Sequence, residues 1–214
     1  MEKDKLQNIR KEYTKAELRK SNILQNPIEQ LKLWVNDAIE NNLEEPNAMV
    51  LSTVDKNAKP SSRVVLLREI TEDSILFYTN YNSKKAKSIA DNENVCVNIF
   101  WQQMQRQVRI EGTCKKVSKQ KSDVYFNSRP AASRLASMAS TQSEVIESKE
   151  KLMQLFDAKK GEFENKNIER PKNWGGFQIK INYIEFWKGG LHRLHDRLVF
   201  EKLENNWRLN RLAP

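Results

Sequence analysis

Apolar positions in this chain recur at two periods, and the places where the period changes mark out its elements. Asn26-Pro27 opens a helix: Asn can cap it, and Pro fits the first helical position. Ile28, Leu31, Trp34, Val35, Ala38 and Ile39 then follow a helical stripe that reads as core packing. From Ala48 the period shortens. Ala48 to Val54 reads as a strand, Asp55 to Pro60 as a turn, Ser62 to Ile70 as a second strand and Ser74 to Asn80 as a third. Asn82 or Ser83 can cap a short helix. Strands follow at Asn94 to Trp101 and at Arg106 to Val117, the latter alternating through Val108, Ile110 and Gly112.

Residues from about 118 to 160 return to helical patterns: one over Ser118 to Ser128, one from Arg129-Pro130, and a longer one that Ser143 can cap. Gly176 to Trp187, Arg197 to Leu203 and Trp207 to Leu212 are strand-like again. The order predicts about eight strands with short turns and a helical insertion between the fifth and sixth. That is a mainly β chain with peripheral helices, best satisfied by an antiparallel barrel. Residues 27–214 are expected to form a single domain, preceded by an arm over 1–26 in which Thr14 to Glu17 has the form of a capping box.

Composition adds limits. The 214 residues are 38% hydrophobic and 30% charged, and no run is long and apolar enough for a transmembrane helix. The start is charged and lacks a secretory apolar core. Cys96 and Cys114 lie in strand-like runs and read as buried thiols of a reducing compartment, so a cytoplasmic location is expected. The net charge of +9 first raises nucleic acid as a partner. The basic residues are spread among 28 acids, however, with no basic block. Small phosphorylated ligands account for the charge better.

The candidate chemistry is concentrated. Both histidines, His192 and His195, lie between Glu185 and Arg197, with Trp187, Arg193 and Asp196 beside them. Gly189-Gly190 also reads as a two-residue hairpin turn, and a hairpin can carry a site. Lys84 and Lys85 fall in the first turn of the short helix, where cations oppose the macrodipole; two exposed lysines on a surface helix are common, but a phosphate there would offset that cost and is the favoured reading. Arg63 and Arg68 are five residues apart and point to opposite faces of a flat strand, so a shared ligand requires the strand to end or bend between them. There is no Gly-rich dinucleotide fingerprint, no P-loop and no G-x-S-x-G elbow. The His192–His195 spacing does not favour a shared metal ion in a strand or turn.

Assembled in order, Arg-Lys-Glu-Tyr-Thr-Lys (10–15), Arg-Val-Val-Leu-Leu-Arg (63–68), Phe-Tyr-Thr-Asn (77–80), Ser-Lys-Lys-Ala (83–86), Arg-Gln-Val (106–108), Tyr-Phe-x-Ser-Arg-Pro (125–130), Gln-Ser (142–143), Trp-Gly-Gly-Phe (174–177), Glu-Phe-Trp-x-Gly-Gly-x-His-Arg-Leu-His-Asp-Arg (185–197) and the terminal Arg-Leu-Ala-Pro resemble the pyridoxine/pyridoxamine 5′-phosphate oxidase family over nearly the whole chain. The resemblance implies a homodimeric FMN-binding split β-barrel. It implies oxidation of pyridoxamine or pyridoxine 5′-phosphate to pyridoxal 5′-phosphate by hydride transfer to the flavin, with O2 as acceptor and H2O2 as product. It assigns the FMN phosphate to Arg63, Lys84 and Lys85. Val64, Val65, Leu66, Leu67, Arg68, Tyr78, Thr79 and Gln107 would line the cofactor, with Gln142, Ser143, Trp187 and Arg197 completing its site, partly from the other subunit. The substrate phosphate would meet Arg68, Tyr125, Arg129 and Ser133. Arg193 and His195 would lie over the pyridine ring as the catalytic pair, and Arg10 and Tyr13 would close the pocket as a lid. Family members often carry Lys where this chain has Arg68 and Arg where it has Lys84. Both exchanges keep the charge and swap a fork for a point or the reverse, so affinity and substrate preference are expected to shift while binding survives.

Three alternatives stay open at this stage: a split-barrel flavin enzyme with a different substrate, a flavin-binding protein without catalysis, and a basic nucleic-acid-binding module. Neither a membrane nor a metal is expected to be involved.

Overall fold

A computed structural model describes residues 12–13, 17–204 and 206–214 of the chain. The expected lid residue Arg10 and the capping box that begins at Thr14 lie outside the described residues. Among those described, the order is α1 (Pro27–Glu40), β1 (Ala48–Val54), β2 (Pro60–Leu66), β3 (Glu69–Ile70), β4 (Ser74–Asn80), α2 (Lys84–Asp91), β5 (Asn94–Trp101), β6 (Arg106–Lys116), α3 (Lys119–Ser128), α4 (Ala131–Ala139), α5 (Lys149–Glu162), β7 (Trp174–Lys188), β8 (Asp196–Lys202) and β9 (Trp207–Arg211). The strands share one nine-stranded sheet in the order β2-β1-β5-β6-β7-β4-β3, with β8 pairing β7 and β9 pairing β8. The 15-residue β7 is long enough to serve two partners: its start runs antiparallel to β4, from Asn80↔Trp174 to Ser74↔Lys180, and its end runs antiparallel to β8, from Tyr183↔Glu201 to Lys188↔Asp196.

Contacts divide the described chain into two compact units, one containing Val97–Glu111 and Ile181–Pro214 together with the residues up to Met49, the other containing Val50–Cys96 and Gly112–Lys180. In the first unit, Asn26 Oδ1 accepts from Ile28 N at 2.9 Å and starts α1, whose Ile28, Leu31, Trp34, Val35 and Ala38 are buried. Trp34 meets Phe186 of β7 edge-on, with centroids 5.1 Å apart, so the helix stripe closes over the sheet. Ile39, expected in that stripe, is 53% exposed, because Ala38 already occupies the inward position. In the second unit, Phe77 and Phe177 stack across the β4–β7 register, and Phe126, Leu135, Ile168 and Trp174 form a core under α3 and α4.

The structure corrects four expectations. The strand expected over Ser62 to Ile70 ends at Leu66; Arg68 N instead donates to Leu76 O at 2.9 Å, and pairing with β4 resumes at Glu69. Gly189-Gly190 is not a two-residue turn. Pairing ends at Lys188↔Asp196, which leaves residues 189–195 as a loop containing a 3-10 turn over Leu191–Arg193. Ser143 does not cap the long helix; Ser148 does, accepting from Lys151 N at 3.1 Å. The strand count rises to nine among the described residues because the break at Leu66 divides one expected strand.

Gly176 faces Tyr78 across the register, and a Cβ there would lie 2.7 Å from Tyr78 Cε1 and 2.7 Å from Val117 Cγ2. Gly176→Ala is therefore expected to destabilise the protein by about 1–3 kcal/mol, through overpacking of both neighbours. Urea denaturation of the two proteins side by side measures this, and equal midpoints would contradict the packing argument.

Candidate active site

In the second unit, β2, β4, α2, α3, α4 and the segment after α4 enclose a cavity of about 850 Å³. Arg63, Arg68, Lys84, Lys85 and Arg129 all line it, and no Asp or Glu does. The break after Leu66 is what allows this: a continuous strand would have sent Arg63 and Arg68 to opposite faces. Val64, Val65, Leu66, Tyr78, Thr79, Tyr125, Ser133, Gln142 and Ser143 line the same cavity, so most of the expected cofactor and substrate-phosphate residues converge there. Leu67 is buried at 5% exposure and is not among the lining residues.

Three of the cations, Arg63, Lys85 and Arg129, are held in place by hydrogen bonds. Arg63 Nη1 donates to Leu51 O at 3.2 Å and to Thr53 Oγ1 at 2.8 Å, and its Nη2 donates to Ser61 Oγ. Lys85 Nζ donates to Thr79 Oγ1 at 3.1 Å, and Thr79 Oγ1 donates in turn to Gln142 Oε1 at 3.1 Å. Ser83 stands at the N-cap of α2, but its hydroxyl donates to Asn80 O at 2.7 Å rather than capping the helix. Arg129 donates to Ser137 Oγ at 3.1 Å and to Ser133 O at 3.0 Å, and its guanidinium lies 4.5 Å over the Trp174 ring. Tyr125 stacks on Tyr78 at 3.8 Å, and both rings are nearly parallel to Trp174. The cavity thus combines an aromatic wall with an unneutralised cationic one.

Burial, and then the neighbouring Arg63 charge, push the Lys85 ammonium down to about 8. Burial likewise lowers Arg63, and burial followed by the Arg68 charge lowers Arg129. Burial, then Glu69 and Tyr125, raise the Tyr78 phenol to about 12, so it stays protonated and can donate. A buried lysine and half-buried arginines whose charged forms are disfavoured by burial and by neighbouring cations fit an anion of high charge, and a phosphate dianion is the chemistry that matches. Binding a dianion must raise the Lys85 pKa, so the complex takes up a proton above pH 8. Anion affinity is therefore expected to weaken as pH rises through that point, by up to about tenfold per pH unit while one proton is linked. The sign for folding is opposite: above pH 8 the unfolded chain holds more protons at this lysine than the folded apoprotein does, so apoprotein stability rises with pH there. Titrating apoprotein with FMN at pH 7, 8 and 9 checks the first statement, and a flat profile would contradict it.

The other expected residues belong to the first unit. Trp187 of β7 lies directly across from Arg197 of β8. Gln107 of β6 accepts from Asn98 Nδ2 at 3.2 Å. Arg197 pairs through Nε and Nη2 with the buried Glu185. Tyr13 packs edge-on against Trp187 and His195, with centroids 5.7 and 5.6 Å away. Gly189 makes room for it, since a Cβ there would lie 2.5 Å from Tyr13 Cγ.

His195 Nδ1 accepts from Gly190 N at 3.2 Å, and burial followed by the Arg193 charge lowers its pKa. The ring is therefore neutral at pH 7 with its proton on Nε2, and acts there as a donor. Arg193 is exposed and has a left-handed φ of 64°.

Sequence reasoning missed Trp174 and Ser137, which fix Arg129, and Glu185, which fixes Arg197. Trp174 stood inside a quoted motif; nothing local to Ser137 marked it.

The fold is shared with solved structures. PhzG from Burkholderia lata 383, solved in complex with tetrahydrophenazine-1-carboxylic acid, superposes with a TM-score of 0.88 at 24% identity, over 95% of this chain and 100% of that one. A pyridoxamine 5′-phosphate oxidase-related, FMN binding protein from Nostoc punctiforme PCC 73102 superposes with a TM-score of 0.72 at 16% identity, over 93% and 100%. The protein thus shares the mainly antiparallel fold of these proteins, with a cation-lined cavity in its second unit. Family profiles resolve it further: pyridoxamine 5′-phosphate oxidase matches residues 35–163, and the pyridoxine 5′-phosphate oxidase C-terminal dimerisation region matches residues 174–214. Proteins named pyridoxine/pyridoxamine 5′-phosphate oxidase from Leptospira biflexa (43% identical, 98% of this chain and 99% of the relative) and Nostoc punctiforme (44% identical, 97% of each) align along the whole length. The chain belongs to the pyridoxamine 5′-phosphate oxidase family and carries its C-terminal dimerisation region. No helix among the described residues is long and apolar enough to cross a membrane.

Proposed function

We propose that this chain, as a homodimer, oxidises pyridoxamine 5′-phosphate and pyridoxine 5′-phosphate to pyridoxal 5′-phosphate, using FMN and O2. The observation that carries the reading is the cavity lined by five cationic side chains and no carboxylate, a place for phosphate groups in a chain of this family. Arg63, Lys84 and Lys85 hold the FMN phosphate, and Arg68, Tyr125, Arg129 and Ser133 hold that of the substrate. Val64 to Leu67, Tyr78, Thr79, Gln107, Gln142, Ser143, Trp187 and Arg197 embrace the rest of the cofactor. When bound, FMN supplies the redox chemistry, taking a hydride from the substrate and delivering two electrons to O2 to give H2O2. With the amine substrate, water supplies the aldehyde oxygen and ammonia leaves; the alcohol needs no water.

The protein's own residues bind and orient. Arg193 contributes an exposed positive charge, and His195 a neutral Nε2–H donor. Since the Nδ1 lone pair of His195 already accepts from Gly190, the ring is set up to orient substrate rather than to remove a proton. Tyr13, packed on Trp187 and His195, is the lid residue of this reading. The two free cysteines suit a cytoplasmic setting.

Anaerobic addition of pyridoxamine 5′-phosphate to the FMN-loaded protein is expected to bleach the flavin band, and air to restore it with release of peroxide. A protein that binds FMN but keeps its colour with both vitamers would instead be a split-barrel flavoprotein with another substrate.

A further inference from the structure

Glu185 is the only buried carboxylate among the described residues, at 2% exposure. Its Oε1 accepts from Arg197 Nε at 2.6 Å, and its Oε2 accepts from Arg197 Nη2 at 3.2 Å. Arg109 donates to the same Oε2 through Nη2 at 3.0 Å and Nε at 3.3 Å, and Tyr183 OH lies 3.4 Å away. Burial alone would raise this carboxyl, yet the hydrogen bonds from Arg197 and Arg109 hold it below the ordinary glutamate value.

A buried ion cluster of this kind is weak evidence for stability, because well-packed apolar residues serve as well or better. Its geometry points to another use. Arg197 is gripped side-on, through Nε and Nη2, while Nη1 donates to Ala213 O at 2.9 Å. A guanidinium has five N–H groups in a rigid plane. Three are engaged, so one on Nη1 and one on Nη2 have no protein partner among the described residues. Glu185 thereby fixes where the remaining donors point, and Trp187 stands directly across the strand pair from Arg197.

We propose that Glu185 is a positioning residue for the flavin: it clamps Arg197 side-on so that the two spare N–H groups meet an acceptor of the bound ring, while Arg109 balances the buried charge without taking part in binding. This rests on the FMN-dependent reading above. It predicts a split between two variants that disturb the same cluster. Glu185→Gln removes the clamp and is expected to weaken FMN binding by about 10- to 100-fold, the effect of losing a charged hydrogen bond's geometry. It should also raise the midpoint potential of the flavin that does bind, since uncompensated positive charge favours the reduced, electron-rich ring. Arg109→Gln leaves the Glu185–Arg197 pair intact and is expected to keep FMN affinity within about threefold, even though both variants lower the melting temperature of the apoprotein.

The measurements are quenching of flavin fluorescence on titration with apoprotein, and redox titration of the loaded protein. Wild-type affinity and potential in Glu185→Gln would overturn the proposal, as would an equal loss of affinity in Arg109→Gln, which would mark the cluster as structural only. Failure of the unsubstituted protein to bind FMN would instead overturn the reading on which the proposal rests.

Discussion

Arg193→Ala is expected to lower kcat/KM for both phosphorylated vitamers by about 100- to 1000-fold, the loss found when one preorganised donor to a transition state is removed. The melting temperature should stay within about one degree. Arg193 is exposed and its guanidinium makes no hydrogen bond or ion pair among the described residues; its charge acts only at longer range, on His195. Its backbone is fixed independently of the guanidinium. Gly190 N donates to His195 Nδ1, Leu194 N donates to Leu191 O at 2.9 Å, and both His192 and Arg193 adopt left-handed conformations that L-residues rarely adopt. A charge carried on a left-handed loop, without a partner among the described residues, suits a group that binds a ligand. Steady-state kinetics beside thermal denaturation tests this. Unchanged turnover would mean that the catalytic group is elsewhere, even though the family is right.

Arg63→Met should raise the FMN dissociation constant by about 100- to 1000-fold. At about 1.5–2 kcal/mol each, the lower end for hydrogen bonds to a charged group, two lost phosphate contacts account for that range. Three protein acceptors, Leu51 O, Thr53 Oγ1 and Ser61 Oγ, hold the guanidinium before any ligand arrives, so little ordering is left to binding. The substitution has a second signature. Arg63 is one of the two causes that depress Lys85, after burial, so removing it must move the Lys85 pKa upward from about 8. The pH at which FMN affinity begins to fall should move upward with it. Fluorescence titrations across pH read both effects; wild-type affinity, or an unmoved pH break, would show that Arg63 and Lys85 do not share one anion.

Much of the architecture was legible along the chain because its signals are local. The Asn26-Pro27 start and the stripe Ile28, Leu31, Trp34, Val35 and Ala38 depend on spacing within one helix, and the structure buries those residues. The alternation through Val108, Ile110 and Gly112 of β6 needs only the pleat. The strand end between Arg63 and Arg68 was legible as a requirement and not as a position, since nothing in Val-Val-Leu-Leu says where pairing with β4 resumes. The seven-residue loop after Lys188 was read as a tight turn because Gly-Gly mimics one; the register Lys188↔Asp196 overrules it, and the wider loop is what presents Arg193 and His195. Ser143 looked like a cap from its neighbours alone, but it is Ser148 that lies where the helix begins.

What the sequence determined by itself was most of the element types and the family, because periodicity, caps and motif order are properties of neighbours in the chain. Only the tertiary structure decided which charges are spoken for. Arg197 is clamped by Glu185, Arg129 lies on Trp174, and Arg63, Lys85 and Arg68 line one cavity that no carboxylate lines. The physical reason is that a guanidinium's partner is set by cross-strand register and by elements far apart in the chain, and neither leaves a trace in local pattern.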